Sequence, residues 1–248
     1  MARKTYKERC LVLRKTKLGE ADSIITLLAR DGRQIRAVAK GVRKPASRFG
    51  ARLELCSVVD VLLYPGRSLD VISEVRCVST NDACRIGLEK AGAAEVICEF
   101  LEKLTRDGAA TGDRVFALTE VAFAAIGRGT ELQAGMFAAA HLLKAMAMQG
   151  LRPAIHECAL CGAPLDKVGF FDISMGGALC ADCAGEAASS PVDVAIVPWI
   201  DLMLRSTFDE LSRVEQAPVR KLLDVGESWM REHLSLNLKS IPFLKSLY

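Results

Sequence analysis

The sequence predicts an α+β chain of more than one domain, a small five-stranded barrel followed by an α-helical domain into which a four-cysteine knuckle is inserted. Three observations carry that prediction. Residues 6–76 alternate short Val-, Ile- and Leu-rich runs with turn residues. After Asn81 the texture becomes Ala-, Leu- and Glu-rich with helical spacing. Cys158-x-x-Cys161 is followed, after eighteen intervening residues, by Cys180-x-x-Cys183. The predicted divisions are 1–80 for the barrel, 81–154 for the first part of the helical domain, 155–186 for the cysteine insert and 187–248 for the second helical part. With 248 residues, half of them hydrophobic and a quarter charged, the chain is long enough for a sizeable core and is neither a disordered polymer nor a disulfide-stapled miniprotein.

Five β-like runs are expected at Glu8 to Thr16, Ser23 to Arg30, Gln34 to Ala39, Leu55 to Tyr64 and Leu69 to Arg76. Turn chemistry separates them. Leu18-Gly19-Glu20 follows the first run, Asp31-Gly32 joins the second to the third, and Pro65-Gly66 joins the fourth to the fifth. A long connection, Gly41 to Arg52, divides the third run from the fourth. Five short strands in about 75 residues predict a closed or nearly closed barrel. By length and strand count alone, an oligonucleotide-binding (OB) barrel and an SH3-like barrel fit nearly equally.

Helices are expected near 82–106, 113–127 and 131–149, because Ala94, Ile97, Leu101 and Leu104 share one face, as do Met136, Ala140, Leu143 and Ala147. Asp82 and Thr130 are candidate N-caps, and Gly150 with Pro153 is a stop signal. A later helix is expected at Val219 to His233, with Val219, Leu222, Leu223, Gly226 and Trp229 or Met230 aligned.

Two residues between cysteines let one tight turn aim both sulfurs at a single ion, and two such knuckles complete a tetrahedron, so Cys158, Cys161, Cys180 and Cys183 are the expected ligands of one structural Zn²⁺. Four thiolates leave no open position for catalysis. A redox pair would not need the second CxxC, whereas an iron–sulfur cluster is compatible with the spacing. His156 is expected to be a neighbour of the site rather than a ligand. Cys10, Cys56, Cys77, Cys84 and Cys98, scattered among apolar residues, are expected to be small buried hydrophobes. The charged start of the chain leads into no signal-like apolar stretch, and the apolar run Met136 to Met148 contains His141 and Lys144 and is too short to span a bilayer. A cytoplasmic protein with reduced thiols and no membrane partner is the expectation.

The net charge of +3 hides a division. Residues 1–80 hold 17 Lys and Arg against 8 Asp and Glu, a net +9, whereas residues 81–248 hold 16 against 22, a net −6. Such a split points the first third at a polyanion. The densest basic piece runs from Ala39 to Arg48, where Gly41, Pro45 and Ser47 make a loop. Arg14, Lys15, Lys17, Arg33, Arg36, Lys40, Arg43, Lys44 and Arg48 are the candidate nucleic-acid contacts. With only Tyr6, Phe49 and Tyr64 as aromatics in this region, binding should be mainly electrostatic and weakly sequence-specific. No GxxxxGK[ST] loop, HExxH helix, GxSxG elbow or acidic two-metal cluster is present, so no catalytic residues are assigned and a non-enzymatic protein is expected.

The segments Leu18-Gly19-Glu20-Ala21-Asp22-Ser23-Ile24-Ile25-Thr26-Leu27, Asp31-Gly32-Arg33, Val38-Ala39-Lys40-Gly41-Val42-Arg43-Lys44 and Ser47-Arg48, with the late cysteine pairs, resemble the bacterial RecO recombination mediators over essentially the whole chain. The resemblance implies an N-terminal OB barrel and a helical domain carrying a zinc insert. It also implies annealing of complementary strands, and loading of the RecA recombinase onto DNA coated by single-strand-binding protein. The implied partners are single- and double-stranded DNA, RecR, RecF, the acidic tail of the single-strand-binding protein and, indirectly, RecA, at the nucleoid. Lys103, Arg106, Arg114 and Arg128 are candidates for the partner tail. A zinc-containing transcriptional or RNA-associated module is the competing class, and a scaffold docking an acidic protein a third.

Overall fold

Alternate residues along much of each strand are apolar, and closing the strands on one another takes those residues out of water. In the computed structural model, which describes residues 4–45, 47, 49–106, 108–187 and 191–248, they run as β1 (Tyr6–Leu18), β2 (Asp22–Ala29), β3 (Gln34–Ala39), β4 (Val58–Tyr64) and β5 (Asp70–Ser79). They close into a barrel in the order β1-β2-β3-β5-β4, with β4 returning to β1. Neighbours are antiparallel except for β3 with β5, which pair in parallel through Ala37 with Asp70 and Val38 with Val71. That parallel closure after a long third connection is the OB-like order, and it decides between the two barrel types that strand count left open. Val12, Ile25, Leu27, Ala37, Val59 and Leu63 fill the interior.

Only β3 keeps both expected limits: β1 starts at Tyr6 rather than Glu8, both ends of β2 and the start of β5 shift by one residue, and three further limits move. β1 extends through Lys15, Thr16 and Lys17 to Leu18, because pairing with β2 continues to Lys17 with Ser23 and Leu18 with Asp22. β4 begins at Val58 rather than Leu55, since Cys56 takes a left-handed backbone (φ 69°) and turns the chain before the strand. β5 runs on to Ser79. At the β2–β3 hairpin Gly32 is required: its φ is +87°, and a Cβ there would lie 2.3 Å from the backbone nitrogen of Gly112.

The helices α1 (Leu88–Leu104) and α2 (Asp113–Arg128) belong to the same compact unit as the barrel, Met1–Arg128, so the change in composition at residue 81 is not where this unit ends. α1 packs on β1 and β2. Outward-facing Leu11, Leu13 and Leu28 are buried on this side, and Gln34 Nε2 donates to the carbonyl of Glu102 (2.8 Å) and to Thr105 Oγ1 (3.1 Å). The expected cap at Asp82 is corrected. Asp82 starts a short 3-10 turn, Asp82–Arg85, its carboxylate bonds Thr80 and Arg85, and the α-helix itself starts at Leu88 after Gly87.

The second unit, Gly129–Tyr248, is built on α3 (Glu131–Met148). Thr130 caps it as expected: its Oγ1 accepts from Gln133 N (3.3 Å), and the Gln133 side chain accepts from Thr130 N (3.1 Å). The chain continues as β6 (Phe170–Asp172), β7 (Gly177–Leu179), α4 (Ala181–Ala187), α5 (Val197–Arg205), α6 (Phe208–Leu211), α7 (Val219–Leu234) and α8 (Ser240–Lys245). Ala-rich α3 packs against α5 and α7, and the aligned α7 residues are buried as expected. Trp229 of α7 donates to Leu151 O (3.1 Å), lies 6.2 Å from Phe171 and 4.5 Å from His233, and His233 Nε2 lies 2.9 Å from Ile173 O. No helix among the described residues is long and apolar enough to cross a membrane.

Candidate nucleic-acid interface and metal centre

The β1–β2 turn and the basic loop after β3 fold against each other. Gly41 N donates to Asp22 Oδ1 (2.7 Å), Arg43 N to Ala21 O (2.9 Å), and the Arg43 guanidinium to Gly19 O (3.0 Å). Gly41 supplies the left-handed turn (φ +65°) that lets Lys44 N reach Gly41 O (3.1 Å). The β1–β2 turn thus braces the loop after β3, and the Asp22 carboxylate is engaged by the backbone of Gly41. Lys17, Lys40 and Lys44 are exposed here, with no salt bridge among the described residues, and form a cationic rim with Arg43.

The other candidate cations are placed differently. Arg33 lies beside the β2–β3 hairpin, at the far end of β3 from Lys40, and bonds Asp31 (2.6 Å) and Glu8 (3.3 Å). Lys15 is bound to Glu54 (2.6 Å). Arg14 and Arg36 face outward on either side of Thr26 in one cross-strand row, Arg14 against Glu102 of α1 (3.1 Å). Arg48 lies outside the described residues, as does Arg3. Of the candidate tail contacts, Lys103 pairs with Glu99 and Arg106 with Glu102. Arg114 and Arg128 stand near opposite ends of α2, about 21 Å apart at 1.5 Å per residue.

Sequence reasoning passed over a second basic surface. On the outer face of β1, β4 and β5 a groove of about 670 Å³ is lined by Lys7, Arg9, Arg30, Asp60, Glu74 and Arg76 among others. Arg9, Asp60 and Arg76 are direct cross-strand partners, and both arginines bond the one carboxylate, at 2.8 Å and 3.0 Å. Bonding to Arg9, then Arg76, holds the Asp60 carboxyl below the usual carboxylate range. The signal for this row was the outward phase of Arg9 on β1, but Arg76 and Asp60 join it only through register.

In the second unit the knuckles form as expected. Cys158 N donates to Ala163 O (2.8 Å) and Gly162 N to Cys158 O (2.9 Å), a tight turn carrying Cys158 and Cys161. Cys180 follows β7, and Cys183 sits on the first turn of α4. The four sulfurs lie within 4.8 Å of one another, Cys161 and Cys180 at 3.8 Å. A tetrahedral ion with metal–sulfur bonds of about 2.3 Å separates its sulfurs by about 3.8 Å, so the cluster fits a metal ion. The backbone N–H groups of Cys161 and Cys180 draw the Cys158 thiol down to about 6, while the sulfurs of Cys180 and Cys161 push the Cys183 thiol up. All four become thiolates together only when a cation offsets their mutual repulsion. His156 is exposed and 3.4 Å from Asp201, outside the four-sulfur group. Of the scattered cysteines, Cys10, Cys56, Cys84 and Cys98 are buried and Cys77 is half-buried.

An OB-like barrel with an exposed cationic rim, carried in one chain with helices and a four-sulfur cluster, defines a nucleic-acid-binding class of protein. Residues 1–81 match the family model for Recombination protein O N terminal, and residues 87–242 match that for Recombination protein O C terminal. The chain therefore belongs to the RecO family of DNA-repair recombination mediators, a family that is generally non-enzymatic.

Proposed function

We propose that this chain anneals complementary single strands and helps load a recombinase onto DNA coated by single-strand-binding protein, in recombinational repair at the nucleoid. The observation that carries the reading is the rim of Lys17, Lys40, Arg43 and Lys44, cations held outward by a loop whose backbone is tied to the β1–β2 turn. Bringing two polyanions together requires phosphate neutralisation without base reading, which is what such a rim supplies. Arg14, Lys15, Arg33, Arg36 and Arg48 complete the proposed DNA contacts. The four-cysteine cluster holds one structural Zn²⁺ in this reading, because a closed set of four thiolates suits that ion and leaves no site for substrate. RecR, RecF and the tail of single-strand-binding protein are the proposed partners, the tail meeting basic residues such as Lys103, Arg106, Arg114 and Arg128.

Reversing charge in a Lys40→Glu, Arg43→Glu, Lys44→Glu variant should abolish strand annealing while the thermal unfolding of the barrel stays in place. Undiminished annealing would overturn the assignment. If the four rim cations alone meet single-strand phosphates, wild-type affinity should fall roughly two to three orders of magnitude per tenfold rise in salt, and more steeply with each further contact. A strong preference for RNA or for one duplex sequence, in a panel of unrelated oligonucleotides, would favour a transcriptional or RNA-associated module instead.

A further inference from the structure

The usual ligand face of an OB barrel is that of strands 2 and 3, but here α1 lies on the outer side of β1 and β2 and bonds the start of β3 through Gln34. The opposite outer face, over β1, β4 and β5, is an open groove. Its charge is arranged in a line. Arg30 N donates to Arg9 O at 3.0 Å, which sets Arg30 beside Arg9, and the register continues from Arg9 to Asp60 to Arg76. Arg9 and Arg76 share the Asp60 carboxylate, and Arg30 extends the row beyond Arg9, a line about 14 Å long at the usual strand spacing. Arg30 and Lys7 are exposed and make no salt bridge among the described residues. Leu62 follows Asp60 on the same face of β4, and by alternation Tyr64 comes next, 52% exposed. The guanidinium row runs across the strands, and Tyr64 stands four residues along β4 from Asp60, beyond Leu62 with Lys7 and Glu74 at its sides; phosphates suit the row and a base suits the exposed ring, the two elements of a single-strand platform.

We propose that this face holds a second nucleic-acid strand, with phosphates against Arg30, Arg9 and Arg76 and a base stacked on Tyr64, while the first strand lies on the Lys40–Lys44 rim. Arg9 and Lys17 are eight residues apart on β1, about 26 Å along the strand. The barrel so presents two strands on separate surfaces, raising the effective concentration of one for the other. The proposal rests on the DNA-binding reading above and extends it to a second site.

The test is the stoichiometry of short oligothymidylate, which cannot pair with itself, on the full chain. Wild type should bind two strands. An Arg30→Glu, Arg76→Glu variant, with both changes at exposed positions, should bind one with little change in the affinity of the remaining site, and should anneal complementary strands at least about tenfold more slowly. Tyr64→Ala, which leaves the charges untouched, should weaken only the second site, by about tenfold. One strand per wild-type chain, or full annealing by the double arginine variant, overturns the proposal and leaves the rim assignment standing. No binding of oligothymidylate at low salt overturns both.

Discussion

Inside the barrel, Val12, Ile25, Leu27, Val59 and Leu63 meet in an interior where Cys10 is the sole sulfur among the described core residues, and every strand has a neighbour on both sides. Around the four cysteines only Cys158, Leu179 and Ala184 are buried in the local cluster, and the sheet is two strands of three residues each. Apolar burial and closed hydrogen bonding specify the first region without a metal. The second has too little core to fold on burial alone, so its shape depends on what the sulfurs hold. The same chain thus has one part whose interior needs no ion and one whose shape is conditional on what its sulfurs hold.

Metal removal should break this comparison most visibly. Chelation, or a Cys158→Ser, Cys161→Ser variant, takes away a binding free energy on the order of 10 kcal/mol. Metal content should drop to background, with protease cleavage appearing within residues 155–186, while cleavage within the barrel stays unchanged. Zinc content equal to wild type in that variant would refute the cluster. Leu27→Ala is the reciprocal experiment. It should destabilise the first unit by about 2–5 kcal/mol in denaturant titrations and leave the metal stoichiometry intact.

Acid sharpens the contrast more gently. His141 of α3 is buried, and desolvation lowers its pKa to about 3, well below its unfolded value, so the unfolded chain takes up a proton at a pH where the folded chain does not. This contribution is fully present above about pH 6.5 and is lost progressively as pH falls toward about 3. The Cys10 thiol inside the barrel is pushed up by burial and stays neutral throughout. Between pH 7 and pH 5 the melting temperature of the second unit should fall, and His141→Phe should flatten that dependence; an equal slope in the variant would exclude His141 as the source.

Much of the architecture was legible because its signals are local. Asp31-Gly32, Pro65-Gly66, the Thr130 capping box and the CxxC pairs each fix a short stretch whatever surrounds it. Strand count and length left the barrel type open and only the family resemblance implied the OB type, since the order rests on β3 meeting β5 in parallel, a pairing of segments over thirty residues apart. Asp82 misled for a related reason: it has the chemistry of an N-cap, but Asn81 with φ 48° bends the chain into a 3-10 turn first. The rim could be read from the basic run at Lys40 to Lys44. The row of Arg30, Arg9, Asp60 and Arg76 could not, because its members are far apart in sequence and only strand register aligns them.

The clasp at Gly32 bears on where this protein can be divided. Thr111 N donates to Gly32 O at 3.3 Å, so the hairpin tip is held by the segment between α1 and α2. A recombinant fragment ending at residue 80, where the composition changes, would free that tip and bare Leu11, Leu13 and Leu28 to water. It should precipitate or self-associate, whereas one ending at Arg128 retains the covering helices and should remain monodisperse.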